Sequence, residues 1–147
     1  MTYQFTVPGP PQGKARPRTV RRGRRSTTYT PEKTVEYENA VRKAYRDIYG
    51  NGNTIPAKTP TSITIRAYYP IPKVSKAKRA RMLSGEIKPT VKPDADNVIK
   101  IICDALNPKE EFNGAWRDDA QATDVVFKKR YDETPRVEVT IKGVMPV

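Results

Sequence analysis

The sequence predicts an α+β fold as a single domain over residues 1–147, with about four strands in a mixed β-sheet packed by two main helices and a mobile basic loop near the N-terminus. Three observations carry this expectation. Alternating apolar–polar segments stand at the start and middle of the chain, two more follow each other at its end, and helix-periodic segments lie between them. A length of 147 residues suits one core rather than two. An apolar fraction of 36%, fourteen prolines and a mean hydropathy of −0.75 describe a modest core under much polar surface and loop.

Each element has a local reason. Residues 3–7 alternate apolar and polar, and Pro8-Gly9-Pro10-Pro11 stops them. From Gln12 to Thr30 no apolar period appears, so the segment reads as loop. Thr30 as N-cap, Pro31 at the first helical position and Glu32 beside the positive helix end predict a helix start. Val41, Ala44, Tyr45 and Ile48 give that helix an apolar side, and Gly50-Asn51-Gly52 ends it near Tyr49. A linker, Ile55 to Pro60, precedes a strand at Ile63–Tyr69, where Ile63, Ile65, Ala67 and Tyr69 share one face until Pro70 and Pro72 end it. Lys73 to Gly85 is a short basic helix candidate carrying Lys76, Lys78, Arg79 and Arg81. The second main helix follows Pro93, and strands at Thr123–Tyr131 and Arg136–Ile141 close the chain.

The charge points to a partner. Twenty-eight Lys and Arg against sixteen Asp and Glu give a formal charge of +12, a self-repulsion that suits a polyanion. Nucleic acid is expected, because neutralised phosphates release counterions. No helix pairs a basic face with a Trp/Phe/Leu face, so a membrane surface is not expected as partner. Lys14, Arg16, Arg18, Arg21, Arg22, Arg24 and Arg25 crowd the early loop, which reads either as a phosphate-binding arm or as a solubilising segment. The absence of histidine removes Ser-His triads, His–metal nucleases and C₂H₂ fingers, and leaves a tyrosine-nucleophile recombinase without its usual His. One cysteine, Cys103, excludes an intramolecular disulfide and a Cys₄ zinc site, and reads as a buried thiol. No run of transmembrane length and no signal-peptide pattern is present, so a cytoplasmic protein is expected.

The segment from Lys92 to Asn107 carries the chemistry. At 100° per residue, Val98, Ile101, Ile102, Ala105 and Leu106 share one sector, and Asp96, Lys100 and Asp104 stack on another. Asp94 lies just before the helix. Neighbouring carboxylates at a helix start suit a hard cation, since Mg²⁺ takes oxygen ligands and needs only a few from protein. Asp94 or Asp96 as a simple helix cap is the competing reading. A second acidic cluster, Asp118-Asp119, can return against the helix before the Thr123 strand. Carboxylates, a lysine and no histidine match metal-assisted phosphodiester hydrolysis, in which Lys100 steadies phosphorane charge or orients water.

The strings Pro93-Asp94-x-Asp96-Asn97-x-x-Lys100-x-x-x-Asp104-Ala105-Leu106-Asn107 and Trp116-x-Asp118-Asp119-Ala120-Gln121 closely resemble the RusA family of Holliday junction resolvases. The segment Pro8 to Pro17, Tyr29-Thr30-Pro31 and Lys128-Lys129-x-Tyr131 resemble its Gram-positive and phage or prophage branch. The resemblance implies a homodimeric crossover junction endodeoxyribonuclease of DNA recombination and repair. It would nick a four-way junction symmetrically with Mg²⁺, or Mn²⁺ as substitute. It places metal-binding catalytic roles on Asp94, Asp96 and Asp119 and an essential role on Lys100, with Asp118 a possible addition. The Arg-rich loop, Lys73–Gly85 and Pro108–Asn113 depart from the shortest members. A non-catalytic basic nucleic-acid binding module, its acids reduced to caps and turns, is the alternative. Trp116 reads as a core anchor before a base-stacking ring. Ile99 and Cys103, beside the apolar sector, are offered for a dimer interface.

Overall fold

A computed structural model describes residues 1–52 and 54–144. Strand β1 (Thr2–Pro8) is followed by a hairpin of β2 (Arg18–Arg22) and β3 (Arg25–Tyr29). Helix α1 (Glu32–Tyr49), strand β4 (Thr61–Pro70) and the short helix α2 (Lys76–Leu83) come next. Helix α3 (Ala95–Ala105), a 3₁₀ turn (Asp119–Gln121), β5 (Ala122–Asp132) and β6 (Arg136–Gly143) complete the chain.

Four strands form one mixed sheet in the order β1-β6-β4-β5. β6 is antiparallel to both β1 and β4, and β4 runs parallel to β5. The two final strands therefore do not pair with each other: β4 lies between them. Their connection, residues 133–135, passes the end of β4 where Pro70 aligns with Asp132 and Tyr68 with Arg136. Three residues suffice to cross two strand spacings of about 4.8 Å each.

Alternation sets the two faces. Ile63, Ile65, Ala67 and Tyr69 of β4 are buried, as are Phe5 and Val7 of β1 and Val137, Val139 and Ile141 of β6. α1 and α3 contribute the other half of this core. Val98, Ile101, Ile102, Ala105 and Leu106 are each fully buried, so the apolar sector expected of α3 is the one it docks. Every residue buried against water in this way contributes about 25 cal/mol per Å² of apolar surface. The opposite side of the sheet carries polar groups, with the Arg136 guanidinium stacked 4.0 Å from the Tyr68 ring centroid.

Four readings need correction. The Arg-rich segment is a paired hairpin rather than an unstructured loop, because Gly23 at φ +62° opens a two-residue turn with Arg24, and glycine at the first turn position suits a hairpin. Apolar periodicity could not show this, since all ten strand residues are exposed. Pro31, not Thr30, caps α1: its carbonyl accepts from Thr34 N at 3.1 Å and Val35 N at 3.2 Å. The buried line of α1 runs through Thr34, Tyr37, Val41 and Tyr45, which leaves Ile48 60% exposed on the far side. Cys103 is buried while Ile99 packs partly against the same core, because α3 docks with a stripe wider than the five apolar positions. The interface surface expected there shrinks accordingly.

Candidate active site

The candidate site is built along α3 and the 3₁₀ turn that returns beside it. Asp94 occupies the N-cap position of α3, yet its side chain caps no helix N–H. Its Oδ1 accepts from Asn97 Nδ2 at 2.6 Å and its Oδ2 from Lys92 Nζ at 3.3 Å. The Lys92 and then the Asn97 hydrogen bond hold the Asp94 carboxyl below the usual aspartate range. The backbone carbonyl does the helical work instead, accepting from Val98 N at 3.2 Å. The capping alternative thus holds for the backbone of Asp94 and not for its carboxylate. Pro93 O accepts from the Tyr69 hydroxyl at 2.6 Å, tying this corner to β4. Burial, then Asp94, pushes that hydroxyl up to about 12.

Asp96 and Lys100 are exposed on the outward stripe of α3, and neither makes an ion pair with a described residue. Asp104 ends the stripe, 3.4 Å from Lys14 Nζ. Lys14 also donates to Glu38 Oε2 of α1 at 3.0 Å, so it bridges the two main helices. The sequence placed Lys14 with the loop arginines. In the fold it roots the loop, and its backbone N–H donates to Asn97 O at 3.0 Å. Gly13 is needed beside it, because a Cβ there would stand 3.1 Å from both Asn97 Cβ and Pro93 Cβ.

Asp119 approaches the other end of α3. Its Oδ2 accepts from Asn107 Nδ2 at 3.2 Å, and Asn107 Oδ1 accepts from Trp116 Nε1 at 2.8 Å. Trp116 is fully buried, the core anchor expected. Burial pushes the Asp119 carboxyl up and the Asn107 hydrogen bond opposes it, while Asp118 and Asp104 add to the rise. The same two carboxylates, Asp119 and Asp104, add to burial in pushing the Cys103 thiol up to about 12, which keeps it inert. Asp118 is the cap of the 3₁₀ turn: its Oδ1 accepts from Ala120 N at 3.1 Å, and Gln121 Oε1 accepts from the Arg117 and Asp118 N–H groups. Gln121 Nε2 then donates to Pro56 O and Thr59 O.

Two functional positions escaped the sequence reading. Asn107 and Gln121 stand in the recognised strings without a role assigned, yet they orient Asp119 and lock its turn. The spacing Asp118-x-x-Gln121 was the available signal, since it is a capping-box pattern. Gly114 completes the return. It sits at φ +87°, and a Cβ would come within 2.5 Å of Trp116 O, so only glycine lets the chain turn back under α3.

The fold therefore brings Asp119 to Asn107, Asp118 and Asp104, and brings Asp94 to Lys92 and Asn97. Ten residues of rise, about 15 Å, separate Asp94 from Asp104 along the helix. Among the described residues no three Cys, Asp or Glu side chains stand close enough to hold one ion. The donor chemistry still fits a hard cation. Its members are carboxylate oxygens without histidine, and Mg²⁺ takes one or two protein carboxylates with waters and substrate phosphates. Asp119, half-buried with carboxylates for neighbours, gains most from such a charge.

The family model for endodeoxyribonuclease RusA matches residues 8–142. The chain belongs to the RusA endodeoxyribonuclease family. It is also similar to a Bacillus subtilis (strain 168) protein carrying the name "Uncharacterized protein YqaN", with 35% identity over 144 residues, 96% of each chain. That relative accords with the Gram-positive branch the residues resembled. As a RusA-family protein the chain is a nuclease acting on DNA. The RusA match covers α1, α3, β4, β5 and all of β6 but Gly143, and reaches only Pro8 of β1, so the acidic corners and most of the scaffold that holds them belong to one family unit. No helix among the described residues is long and apolar enough to cross a membrane.

Proposed function

We propose that this protein resolves four-way DNA junctions by Mg²⁺-dependent hydrolysis of opposed phosphodiesters, acting as a homodimer. One observation carries the reading: a half-buried Asp119, its carboxyl raised by burial and by neighbouring acids, on a RusA-family chain of charge +12. An anionic corner on a DNA-binding surface opposes binding unless a cation occupies it. Asp119 would hold that ion, directly or through bound water, and Mn²⁺ could replace Mg²⁺. Asp94 and Asp96, toward the opposite end of α3 and too far from Asp119 to share one ion within a protomer, would hold a second ion or meet the site of the other copy. When bound, the ion supplies charge neutralisation at the phosphate and a more acidic water.

The chain's own residues do the rest. Lys100, exposed between Asp96 and Asp104, presents its ammonium to the phosphate oxygens that gain charge in the transition state. Asn107 keeps one Asp119 oxygen fixed. The arginines of the β2–β3 hairpin bind phosphates outside the cleavage corner. Two copies are needed because a junction resolves only when two opposed strands are cut, and a two-fold dimer matches that symmetry.

Asp94→Asn, Asp96→Asn and Asp119→Asn test the reading on a labelled synthetic junction with Mg²⁺. Each variant is expected to lose cleavage while keeping or slightly tightening junction affinity, because each removes negative charge beside phosphate. Wild-type nicking by any one of them removes that residue from the ion's ligands. Nicking that persists in chelator removes the metal.

A further inference from the structure

We propose that one face of the β2–β3 hairpin is a stacking surface for the unpaired or unstacked bases that branched DNA exposes, gripped at both ends by arginine. The inference rests on the branched-DNA reading above and deepens it.

The register divides the hairpin into two different faces. Arg18 pairs with Tyr29, Val20 with Thr27 and Arg22 with Arg25, and because side chains alternate these six share one side. Val20, Arg22, Thr27 and Tyr29 line a common surface hollow, as that assignment requires. The other side carries Thr19, Arg21, Ser26 and Thr28, with the Thr19 and Thr28 hydroxyls 3.3 Å apart. One face is therefore aromatic and apolar between guanidinium groups, and the other is a hydroxyl ladder with one arginine.

Among the described residues, none packs over the apolar face. Val20 is 40% exposed and Tyr29 45%, and every residue of both strands is exposed. A tyrosine and a valine held in water on an arm rooted against the core have no packing role in the protomer. Their neighbours identify the occupant. Residues 12–29 contain seven cations and no acid, which repels a second copy of this chain and attracts a polyanion. Among polyanions, nucleic acid alone offers flat π-faces a few ångströms from its phosphates, and aromatic stacking with flanking cations is how extruded or single-stranded bases are held.

Size and placement agree. Five residues per strand give a reach of about 14 Å, and the major groove admits a two-stranded ribbon. The root is fixed by the bonds from Lys14 N to Asn97 O and from Lys14 Nζ to Glu38 and Asp104. The arm thus leaves the protein directly beside α3, so a base stacked on Tyr29 registers the branch against the cleavage corner. In intact duplex the bases are stacked on each other and unavailable. The face therefore contributes to junction binding selectively, while the arginines contribute to both.

Fluorescence anisotropy in chelator, with a fixed four-way junction and a duplex of matching sequence, tests this without cleavage. Tyr29→Thr keeps a strand-forming residue and removes the ring. It is expected to weaken junction binding about 10-fold or more, the scale of one lost base stack, and to change duplex binding less than about 2-fold. Tyr29→Phe should restore wild-type selectivity, and Thr19→Val with Thr28→Val on the other face should leave both affinities unchanged. A Tyr29→Thr protein that melts like wild type and retains full junction affinity overturns the inference. So does an equal fall on junction and duplex, which would make Tyr29 a general groove contact. Because binding is read in chelator, absence of Mg²⁺-dependent nicking would remove the proposed catalysis and leave this result standing. Intact nicking beside an unaltered Tyr29→Thr affinity would remove only the stacking face.

Discussion

Removing the Asn107 side chain should cost more than its half-buried corner position suggests. Trp116 Nε1 can only donate and the Asp119 carboxylate can only accept, so the amide between them has one possible orientation: Oδ1 to Trp116 and Nδ2 to Asp119. Asn107→Ala leaves the N–H of a fully buried tryptophan without an acceptor, a penalty of about 1–3 kcal/mol. Asp119 loses one hydrogen bond but is half-exposed, and water replaces part of it, which adds roughly 1 kcal/mol or less. The sum of about 1–4 kcal/mol is a sizeable share of the stability of an ordinary domain. It corresponds to a fall in Tm of roughly 2–16 °C at this chain length. Asn107→Asp separates the two effects. It retains an acceptor for Trp116 and sets a carboxylate against Asp119, so it should melt nearer to wild type at acid pH than at neutral pH. Cleavage by Asn107→Ala should fall by up to about 100-fold through misplacement of Asp119, with junction affinity retained. Thermal melts followed by tryptophan fluorescence, paired with single-turnover nicking, provide the assay. An Asn107→Ala protein that melts within about 1 °C of wild type and nicks normally would refute the chain from Trp116 to Asp119.

The remaining expectations concern charge and assembly. Changing Arg21, Arg22, Arg24 and Arg25 together to alanine should flatten the dependence of log K on log salt by about 0.9 per lost phosphate contact on duplex, and an unchanged slope would reduce the hairpin to a solubilising element. Asp119 has a folded-state carboxyl raised above 3.8, so its contribution to stability is fully present below that pH and is lost as pH rises through the folded value. Asp119→Asn in metal-free buffer should therefore be more stable than wild type at neutral pH, with the advantage vanishing in acid; a pH-independent difference would place the cause elsewhere. Sedimentation of the free and junction-bound protein at micromolar concentration should find a dimer, and a strict monomer in both states would exclude paired cutting by two copies.

The amino-acid sequence by itself determined the class of the fold and most of the composition of its core. These are local matters. A period of two places Ile63, Ile65, Ala67 and Tyr69 on one side of a strand, and a period near 3.6 gathers Val98, Ile101, Ile102, Ala105 and Leu106 on one side of a helix, whatever else the chain does. Both sets are buried as the periods required. The acids and Lys100 could be singled out as candidates because the strings that carry them are contiguous. The Arg-rich hairpin was not legible, since its strands bury nothing and so leave no apolar alternation; backbone pairing and one glycine turn make it. Only the tertiary structure decided that β4 separates β5 from β6, because strand order depends on which edges meet, and no residue encodes an edge alone. It also decided which acids share a corner. Asp104 and Asp119 are fifteen residues apart in sequence and become electrostatic neighbours only when the Gly114 turn folds back under α3. Asp94 and Asp104 lie closer in sequence and are held apart, because a helix is rigid and its length fixes the distance between its ends.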